Sequence, residues 1–432
     1  MTRLVTLVAL LALALPALAQ EDTVTAPSFS EGDIISVDQI EKLKPFLPPE
    51  FWSNRDFFFY EGMQLEIGPA FADYSPPPVY KEVTRKYAGR ARIGPENSLE
   101  NYRAGQPFPI DEIDCKGDPQ AGAKIAWDFI NRWAGAGGRA RFYYSYWDRG
   151  EELPLYYEGN STGVSMAFRP EPEYDATDGD LFRGEKRYEA GGPNVEAPFD
   201  ARGIMLLTYR YKASFGPKAT SKNDDTWVYV PTLRRVRRIS TAQRTDAVSG
   251  TDFTFDDLFS FNGIVPQYQW ECLGERDLIA PIHTKVMAFP YERDHNFGPY
   301  GLSFADDRWE LRKAIAFRFV PNNEDHPYKY KDIYIDKNSM EPLYSFAYDR
   351  KGELWKILWH NHRWSEDENY TEYTGWKSVP EPRDLQVVSD IIVNVQTGTG
   401  NRIEFWDATG TPLKSKGKVR RYIDVGRLTK GR

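Results

Sequence analysis

The stretch DDTWVYVPTLRRVRRIS, residues 224–240, alternates between bulky and smaller side chains and then becomes strongly basic. A period of two predicts a β-strand with Trp227 and Tyr229 on one face and Val228 and Val230 on the other. The proline and threonine that follow predict a turn, and a second strand follows the turn. Because both faces of the first strand are partly apolar and the second strand has arginine on both faces, we predict a hairpin that is not a plain core element.

The arginines of the second strand make this region unusual in an acidic chain. From residue 202 to residue 244 there are ten lysines and arginines but only two aspartates, a local balance of +8 in a protein of net charge −8. Two interpretations remain open. The arginines either pair with nearby acids and hold the hairpin in place, or contact an anionic head group or an acidic partner protein. The arginines concerned are Arg234, Arg235, Arg237 and Arg238, and the acids that could pair with them are Asp224, Asp225, Asp252, Asp256 and Asp257.

The rest of the chain after residue 140 also consists mainly of predicted strands, separated by glycine, asparagine, aspartate and proline. The connections at residues 337–339 and 350–352 predict hairpins. Residues 121–134, AGAKIAWDFINRWA, predict the clearest helix, because their apolar residues recur every three or four positions. Residues 121–432 therefore predict an α+β, mostly β domain that is built on a large antiparallel, twisted sheet.

The N-terminal part of the chain is predicted to be processed and then irregular. Residues 1–19 contain one arginine, an apolar run and small residues near the end, which is typical of a cleavable signal peptide. Residues 20–120 are interrupted by prolines and predict a wrap of short helices and loops over the sheet. No later stretch has eighteen apolar residues in a row, so no transmembrane helix is predicted.

Export would place the two cysteines, Cys115 and Cys272, in an oxidising compartment where they can pair. Two buried free thiols are the alternative. Export and a net charge of −8 both argue against a nucleic-acid partner.

Residues 249–259, SGTDFTFDDLF, predict a short helix that is capped by Thr254 with Asp257 three residues later. Phe255, Leu258 and Phe259 would lie on one side of it, as expected of a flap over the sheet.

Two motifs in this region resemble a known superfamily. The pattern W-x-Y-x-P followed by arginines, and then GTDFTFDDL at residues 250–258, is similar to the periplasmic LolA/LolB-like proteins described as outer-membrane lipoprotein-sorting proteins. The helix at residues 121–127 and the stretch IDKNSMEPLYSFAYDRKGELWK at residues 335–356 narrow the resemblance to the domain-of-unknown-function family 1329 in that superfamily. The resemblance to the family covers nearly the whole mature chain, and that to the superfamily mainly residues 200–400.

The resemblance implies a half-barrel, a strongly curved antiparallel sheet whose concave face is partly closed by helices and holds acyl chains. Large, stiff aromatic residues can line such a cavity without collapsing it. The residues expected to line it are Trp227, Tyr229, Phe253, Phe255, Leu258, Tyr344, Phe346, Trp355 and Ile357. Ordinary core packing is the alternative for each of them. The family resemblance also suggests an inner-membrane exporter of the resistance-nodulation-division type as a partner, with an acceptor at the outer membrane.

Three patterns that could carry other chemistry are weaker. Residues 159–163, GNSTG, fit G-x-S-x-G around Ser161, but a strand-like stretch follows where a nucleophile elbow needs a helix, so a hairpin turn is predicted. His360 and His362 would share one strand face, yet no zinc-type spacing accompanies them. Residues 175–180, DATDGD, lack the ligand spacing of a calcium loop and predict a solvated loop.

These observations predict a non-enzymatic periplasmic carrier or chaperone that moves a hydrophobic, lipid-like cargo between the inner and outer membranes. No cofactor, metal or catalytic residue is expected. The alternative is an envelope hydrolase or a carbohydrate-binding protein that uses the same aromatic sheet.

Overall fold

The computed structural model describes residues 26–135, 137–148, 155–218, 221–239, 244–284, 297–366, 383–406 and 416–429. The predicted signal peptide, residues 1–19, lies outside these ranges. Within them, none of the helices combines the length and the apolar character that crossing a membrane requires.

The strands are β1 (Ile34–Ile35), β2 (Leu65–Ile67), β3 (Arg92–Ile93), β4 (Leu99–Glu100), β5 (Gly137–Asp148), β6 (Leu155–Ser165), β7 (Arg187–Ala197), β8 (Met205–Tyr211), β9 (Asp225–Val230), β10 (Arg235–Ile239), β11 (Tyr268–Pro281), β12 (Arg308–Pro321), β13 (Tyr328–Asp336), β14 (Pro342–Asp349), β15 (Leu354–Trp364), β16 (Leu385–Asn394) and β17 (Thr399–Trp406). The α-helices are α1 (Pro49–Ser53), α2 (Pro78–Tyr87), α3 (Ala121–Ile130), α4 (Lys416–Tyr422) and α5 (Val425–Thr429). Short 3-10 helices include Val37–Phe46, Arg55–Phe57, Pro95–Asn97, Ile110–Glu112, Pro172–Thr177, Lys212–Phe215, Pro231–Leu233, Val248–Gly250, Phe255–Ser260 and Val265–Gln267.

Fifteen of these strands form one sheet. Strands β5 to β10 pair in sequence order, strands β11 to β17 do the same, and β17 pairs with β5 to join the two runs. The predicted α+β, mostly β fold with one large curved sheet is therefore confirmed. The prediction that the sheet is wholly antiparallel is wrong in one place, because β2 comes from the N-terminal wrap and pairs in parallel with β12.

One face of the sheet, here called the wrap face, is covered by the N-terminal segment. Residues 29–74 pack on β11 to β16, where the alternation directs Tyr344, Phe346, Ile357 and Trp359 outward into an apolar cluster. Phe51 of α1 stacks on Phe58 at 4.1 Å between ring centroids and meets the Trp359 ring at 5.1 Å. On β6 to β9, helices α4 and α5 cover the same face.

The opposite face, here called the flap face, has a different cover. Helix α3 packs on β11 and β12 against the side chains of Ile315 and Phe317. Residues 244–262, here called the flap, pack across β14, β15 and β16. The flap places Phe253 against Leu358 and Ile392 of the sheet. The predicted flap over the sheet thus lies in its expected place.

Helix α3 is shorter than the predicted 121–134. It ends at Ile130 because Asn131 turns back, its side chain donating a 2.9 Å hydrogen bond to the Trp127 carbonyl. Gly135 then adopts a positive φ of 69°, which glycine accepts without a Cβ clash.

The structure joins Cys115 to Cys272 of β11 in a disulfide with 5.3 Å between the Cα atoms. The bond ties the N-terminal segment to the sheet across a sequence separation of 157 residues. In the chain-entropy account, closing so long a loop stabilises the folded state by about 5 kcal/mol.

Candidate functional site

The flap face has one region that no described element covers, on strands β6 to β10. The register places Gly163 opposite Gly191, Gly191 opposite Thr208, Thr208 opposite Thr226, and Thr226 opposite Ile239. Directly opposite residues point to the same face of a sheet, so these five form a row across five strands. A neighbouring row completes the region that we call the open face: Ser161, Gly163, Gly191, Pro193, Leu206, Thr208, Thr226, Val228, Val230 and Ile239.

The open face is apolar but does not belong to the core. Leu206, Val228, Val230 and Ile239 are only half-buried. None of these four belongs to the hydrophobic clusters found among the described residues. A side chain built at Gly163 would meet no atom within 4 Å. The face therefore presents a wall of small and branched side chains, with open space above Gly163.

One end of the open face is closed where the flap is anchored by ion pairs. Arg210 of β8 approaches Asp224 at 3.0 Å and donates a 2.6 Å hydrogen bond to the Asn262 carbonyl. Arg244 of the flap pairs with Asp224 and, at 2.7 Å, with Asp256. Burial alone would raise the pKa of the Asp224 carboxyl, but the two arginines hold that pKa below its ordinary value.

A second tie lies under the middle of the flap. Asp257 accepts hydrogen bonds from Lys331 at 2.9 Å and from the Tyr328 hydroxyl at 2.7 Å, and Lys356 lies 3.4 Å away. All four side chains are buried. Burial opposes ionisation of Asp257, yet the two lysines hold its pKa well below the ordinary value. The predicted cap does not form, because the Thr254 hydroxyl donates to the Asp257 carboxylate at 2.9 Å and makes no capping hydrogen bond to the helix backbone.

A third set of contacts between the flap and the sheet links a serine, a histidine and an aspartate in the sequence of contacts found in a serine-hydrolase triad. The Ser260 hydroxyl lies 2.6 Å from His360 Nε2, and His360 Nδ1 lies 2.5 Å from Asp390. All three side chains are buried. A nucleophile needs its base beside it while substrate is bound. Here Ser260 belongs to the flap and His360 to β15, so lifting the flap to admit a substrate would separate them. The arrangement is suited to holding the flap closed.

A buried acid lies near the end of α3 on the flap face. Glu341 accepts a 2.8 Å hydrogen bond from Arg132, and burial raises the pKa of its carboxyl to about 7 despite that partner. Burial also raises the pKa of Asp384 well above its ordinary value, and Glu341 adds to the rise. His362 is fully buried as well, and burial holds its pKa well below the ordinary value.

The nine residues expected to line a cavity do not share one surface. Tyr344, Phe346 and Ile357 lie in the core under the wrap, on the opposite side of the sheet from the flap. Trp227 and Tyr229 point to α5, where they pack with Leu428. Their predicted place in one concave lining is therefore wrong, because two covering segments that the strand pattern did not reveal bury them on the other face.

The remaining four lie on the flap face. Phe253, Phe255 and Leu258 belong to the flap and pack in the cluster beside the open face. Trp355 packs against the hydrophobic cluster that α3 shares with the sheet, with its ring centroid 5.5 Å from that of Tyr328. Contact of the three flap residues with a cargo stays a prediction.

The arginines of the β9–β10 hairpin do not all behave alike: one pairs with an acid of the protein, and others are exposed and could contact an anionic group. Arg238 pairs with Asp225, although 62% of the Arg238 side chain is exposed. Arg234 lies in the turn at a positive φ of 47°, and the second strand begins at Arg235. Arg235 and Arg237 are exposed on the strand. The arginines that pair inward with acids are mainly Arg210 and Arg244, outside the hairpin.

The weaker patterns are resolved as follows. Ser161 lies inside β6, so the predicted hairpin turn at GNSTG is wrong: glycine and serine there serve a strand that crosses the open face. His360 and His362 do share one face of β15, and no group of potential metal ligands occurs within the described ranges. Asp180 pairs with Lys212, and Asp175 and Asp178 pair with Arg103, so residues 175–180 are more than a solvated loop.

The sequence pattern missed most of the open face. Val228 and Val230 were assigned to a face of their own by the alternation, but nothing in the strand pattern indicates which face is left uncovered. The useful signal is Gly163, where a Cβ would meet no atom, because glycine weakens a strand and here no neighbouring backbone requires it; Gly191, by contrast, is needed for the close approach of Thr162.

Comparison with known proteins gives the chain its relatives. The uncharacterized protein PA3922 of Pseudomonas aeruginosa is 24% identical over 295 residues, 67% of this chain and 59% of that protein. The chain thus spans less than two thirds of that relative's length. A DUF1329 family protein from Desulfovibrio piger is similar in structure, with a TM-score of 0.47, 16% identity, and coverage of 72% of this chain and 99% of that one.

A LolA superfamily protein from Nitrosomonas europaea is also similar, with a TM-score of 0.36, 10% identity, and coverage of 65% of this chain and 88% of that one. Residues 38–420 match the family described as protein of unknown function, DUF1329. The match extends over most of the chain, and this protein belongs to the DUF1329 family.

Proposed function

We propose that this protein is a non-enzymatic periplasmic carrier that holds a hydrophobic, lipid-like cargo on its open face, beside the flap. The observation that carries the proposal is the row of half-buried apolar side chains, Leu206, Val228, Val230 and Ile239, on a part of the flap face that no described element covers. Contiguous apolar surface of this kind marks a binding site in a monomeric protein more often than a structural accident.

The energetics of lipid transfer fit such a surface. Each methylene taken out of a membrane costs about 0.8 kcal/mol, so a carrier must offer apolar contact along the whole length of an acyl chain. The open face crosses five strands, which at about 4.8 Å per spacing is on the order of 19 Å. The flap cluster of Phe253, Phe255 and Leu258 adds apolar contact at its side.

A sugar-binding role for the same sheet has less support. Stacking on sugars needs exposed aromatic rings, and none of the described residues of the open face is aromatic. Trp227 and Tyr229, the aromatic candidates on β9, pack against α5 instead.

We further propose that the cargo passes between an inner-membrane exporter and an outer-membrane acceptor. This step rests on the family resemblance and on the predicted signal peptide at residues 1–19.

The experiment is purification of the mature protein from the bacterial envelope, followed by native mass spectrometry and lipid extraction. We expect one cargo molecule per protein. Leu206→Asp places a carboxylate in the apolar wall one strand further from the β10 arginines than Val228 is, and should lower the affinity for the neutral fluorescent probe N-phenyl-1-naphthylamine by about tenfold or more, because an unpaired charge on an apolar contact surface is costly.

The matched control is Val320→Asp, which changes an exposed valine on β12. This variant should bind the probe like the unmodified protein. Equal binding by all three proteins, with no extracted lipid, would contradict the proposal.

A further inference from the structure

Strand β10 forms the free edge of the open face, and two of its arginines, Arg235 and Arg237, bear on the chemistry of the cargo. Arg237 of β10 lies directly opposite Val228 of β9, and Arg235 lies directly opposite Val230. Both guanidinium groups therefore project from the same face as the apolar wall, at its rim. Residues Trp227, Tyr229 and Val236, which alternate with them, point the other way and pack against α5.

Arg235 and Arg237 differ from Arg210, Arg238 and Arg244 because they have no ion-pair partner among the described residues. Arg210 and Arg244 are neutralised by Asp224, and Arg238 pairs with Asp225 on the other face. By contrast, Arg235 and Arg237 form no ion pair with any residue that the structure describes, and both are exposed.

The interior of the open face offers no comparable site for an anion. The hydroxyls of Thr208 and Thr226 bond each other at 3.0 Å. Glu189 is the acid on this face, and it lies opposite Arg210, which Asp224 already neutralises. Among the described residues of the open face and its edge, the cations without an ion pair are therefore Arg235 and Arg237 at the β10 rim, next to apolar side chains.

We propose that the cargo is an amphiphile with one anionic head group, a carboxylate or a phosphate, that binds at Arg235 and Arg237 while its apolar tail lies along Val228 and Leu206 toward β6. The inference rests on the proposed function. A guanidinium fork matches the oxygen geometry of both head groups, and such charge-assisted hydrogen bonds are the stronger kind. The arginines at the rim thus orient the cargo, and the apolar wall contributes the affinity of the protein for the tail of the cargo.

The test compares ligands that differ only in the head group: hexadecanoic acid, hexadecyl phosphate and hexadecanol, each measured by displacement of N-phenyl-1-naphthylamine. The variants are Arg235→Glu/Arg237→Glu, and the control Arg85→Glu/Arg92→Glu, which makes the same change of net charge at two exposed arginines elsewhere. For the rim variant we expect the affinity for both acids to fall by about tenfold or more, and that for the alcohol to change less than about threefold. The control should leave all three affinities unchanged.

The outcomes separate this inference from the proposed function. If the acids and the alcohol bind alike, and the rim variant affects neither, the head-group assignment is wrong while the carrier proposal stands. If none of the ligands binds and no lipid is extracted, the carrier proposal itself fails. An acidic extended peptide that binds where the amphiphiles do not would overturn the inference, because β10 would then be an edge for strand addition. Comparing the carboxylate with the phosphate identifies the preferred head group.

Discussion

The two faces of the central sheet are covered in physically different ways. On the wrap face the main contact is aromatic, as in the packing of Phe51 and Phe58 against Trp359, with a smaller polar contribution that includes the Tyr74–Glu310 hydrogen bond. On the flap face, the flap is tied down through buried polar groups, among them Asp257 and Ser260. Apolar burial contributes free energy in proportion to area, whereas buried ion pairs nearly break even against the water they give up. We therefore expect the wrap to behave as part of the core, and the flap to open at a lower cost in free energy.

The largest expected effect tests the wrap face. Trp359 is fully buried and contacts Phe51, Phe58 and Phe304. Trp359→Ala should lower the free energy of unfolding by about 3–5 kcal/mol, because it leaves a large cavity in a close-packed cluster. Urea denaturation measures the change. Trp52→Ala, at a half-buried tryptophan of the same segment, is the control and should cost much less. Equal losses would show that the wrap is not a specific core.

The next effect tests the tie under the flap. Asp257→Asn leaves Lys331 and Lys356 buried without their counter-ion and should cost about 3 kcal/mol. We expect the loss to appear first as faster hydrogen exchange at residues 252–262, while the wrap residues stay protected. The control Asp246→Asn, at an exposed flap position, should change neither the free energy of unfolding nor the hydrogen exchange of the flap. Uniform loss of protection on both faces would contradict an independently opening flap.

A smaller effect depends on pH. Glu341 has a folded pKa of about 7 against an ordinary value of 4.5, so between these values the folded protein holds a proton that the unfolded chain releases. This contribution to stability is fully present below pH 4.5 and is lost as the pH rises through 7. In the Glu341→Gln variant, the free energy of unfolding should decrease between pH 4.5 and 8 by about 2–3 kcal/mol less than in the unmodified protein. Part of the fall should remain, because the pKa of Asp384 is raised too.

The measurement for this third prediction is the free energy of unfolding from urea titrations between pH 4.5 and 8. Glu353→Gln, at an exposed glutamate in the β14–β15 turn, is the matched control and should retain the full slope. A Glu341→Gln curve that runs parallel to that of the unmodified protein would show that Glu341 does not titrate in this range.

The smallest expected effect tests whether Ser260 holds the flap in place or acts as a catalytic nucleophile. Ser260→Ala removes one hydrogen bond to His360 and should cost about 1–2 kcal/mol of stability. The same variant should bind cargo as well as the unmodified protein does. A fluorophosphonate probe should not label the unmodified protein. Stoichiometric labelling that Ser260→Ala abolishes would favour the hydrolase alternative over the carrier.

Much of the architecture could be predicted from local patterns. The alternation at residues 224–239 correctly separated Trp227 and Tyr229 from Val228 and Val230, and the turns at residues 337–339 and 350–352 join the predicted strands. The assignment of Trp227 to a cargo face failed because an aromatic residue suits a core and a cavity equally well. Asp257 was expected as a capping residue or as a partner of a hairpin arginine, and its lysine partners were missed because they lie 74 and 99 residues away in the chain.

The sequence by itself determined the class of fold, the position of the flap, the arginine-rich hairpin and the membership in a family, because each depends on periodicity or on motifs within a few residues. Tertiary structure alone decided which face of each strand is covered. That choice depends on where α5 and residues 29–74 pack, and segments so distant in sequence leave no periodic signal in the strands they cover. The same packing left Val228, and not Trp227, beside the unpaired Arg237.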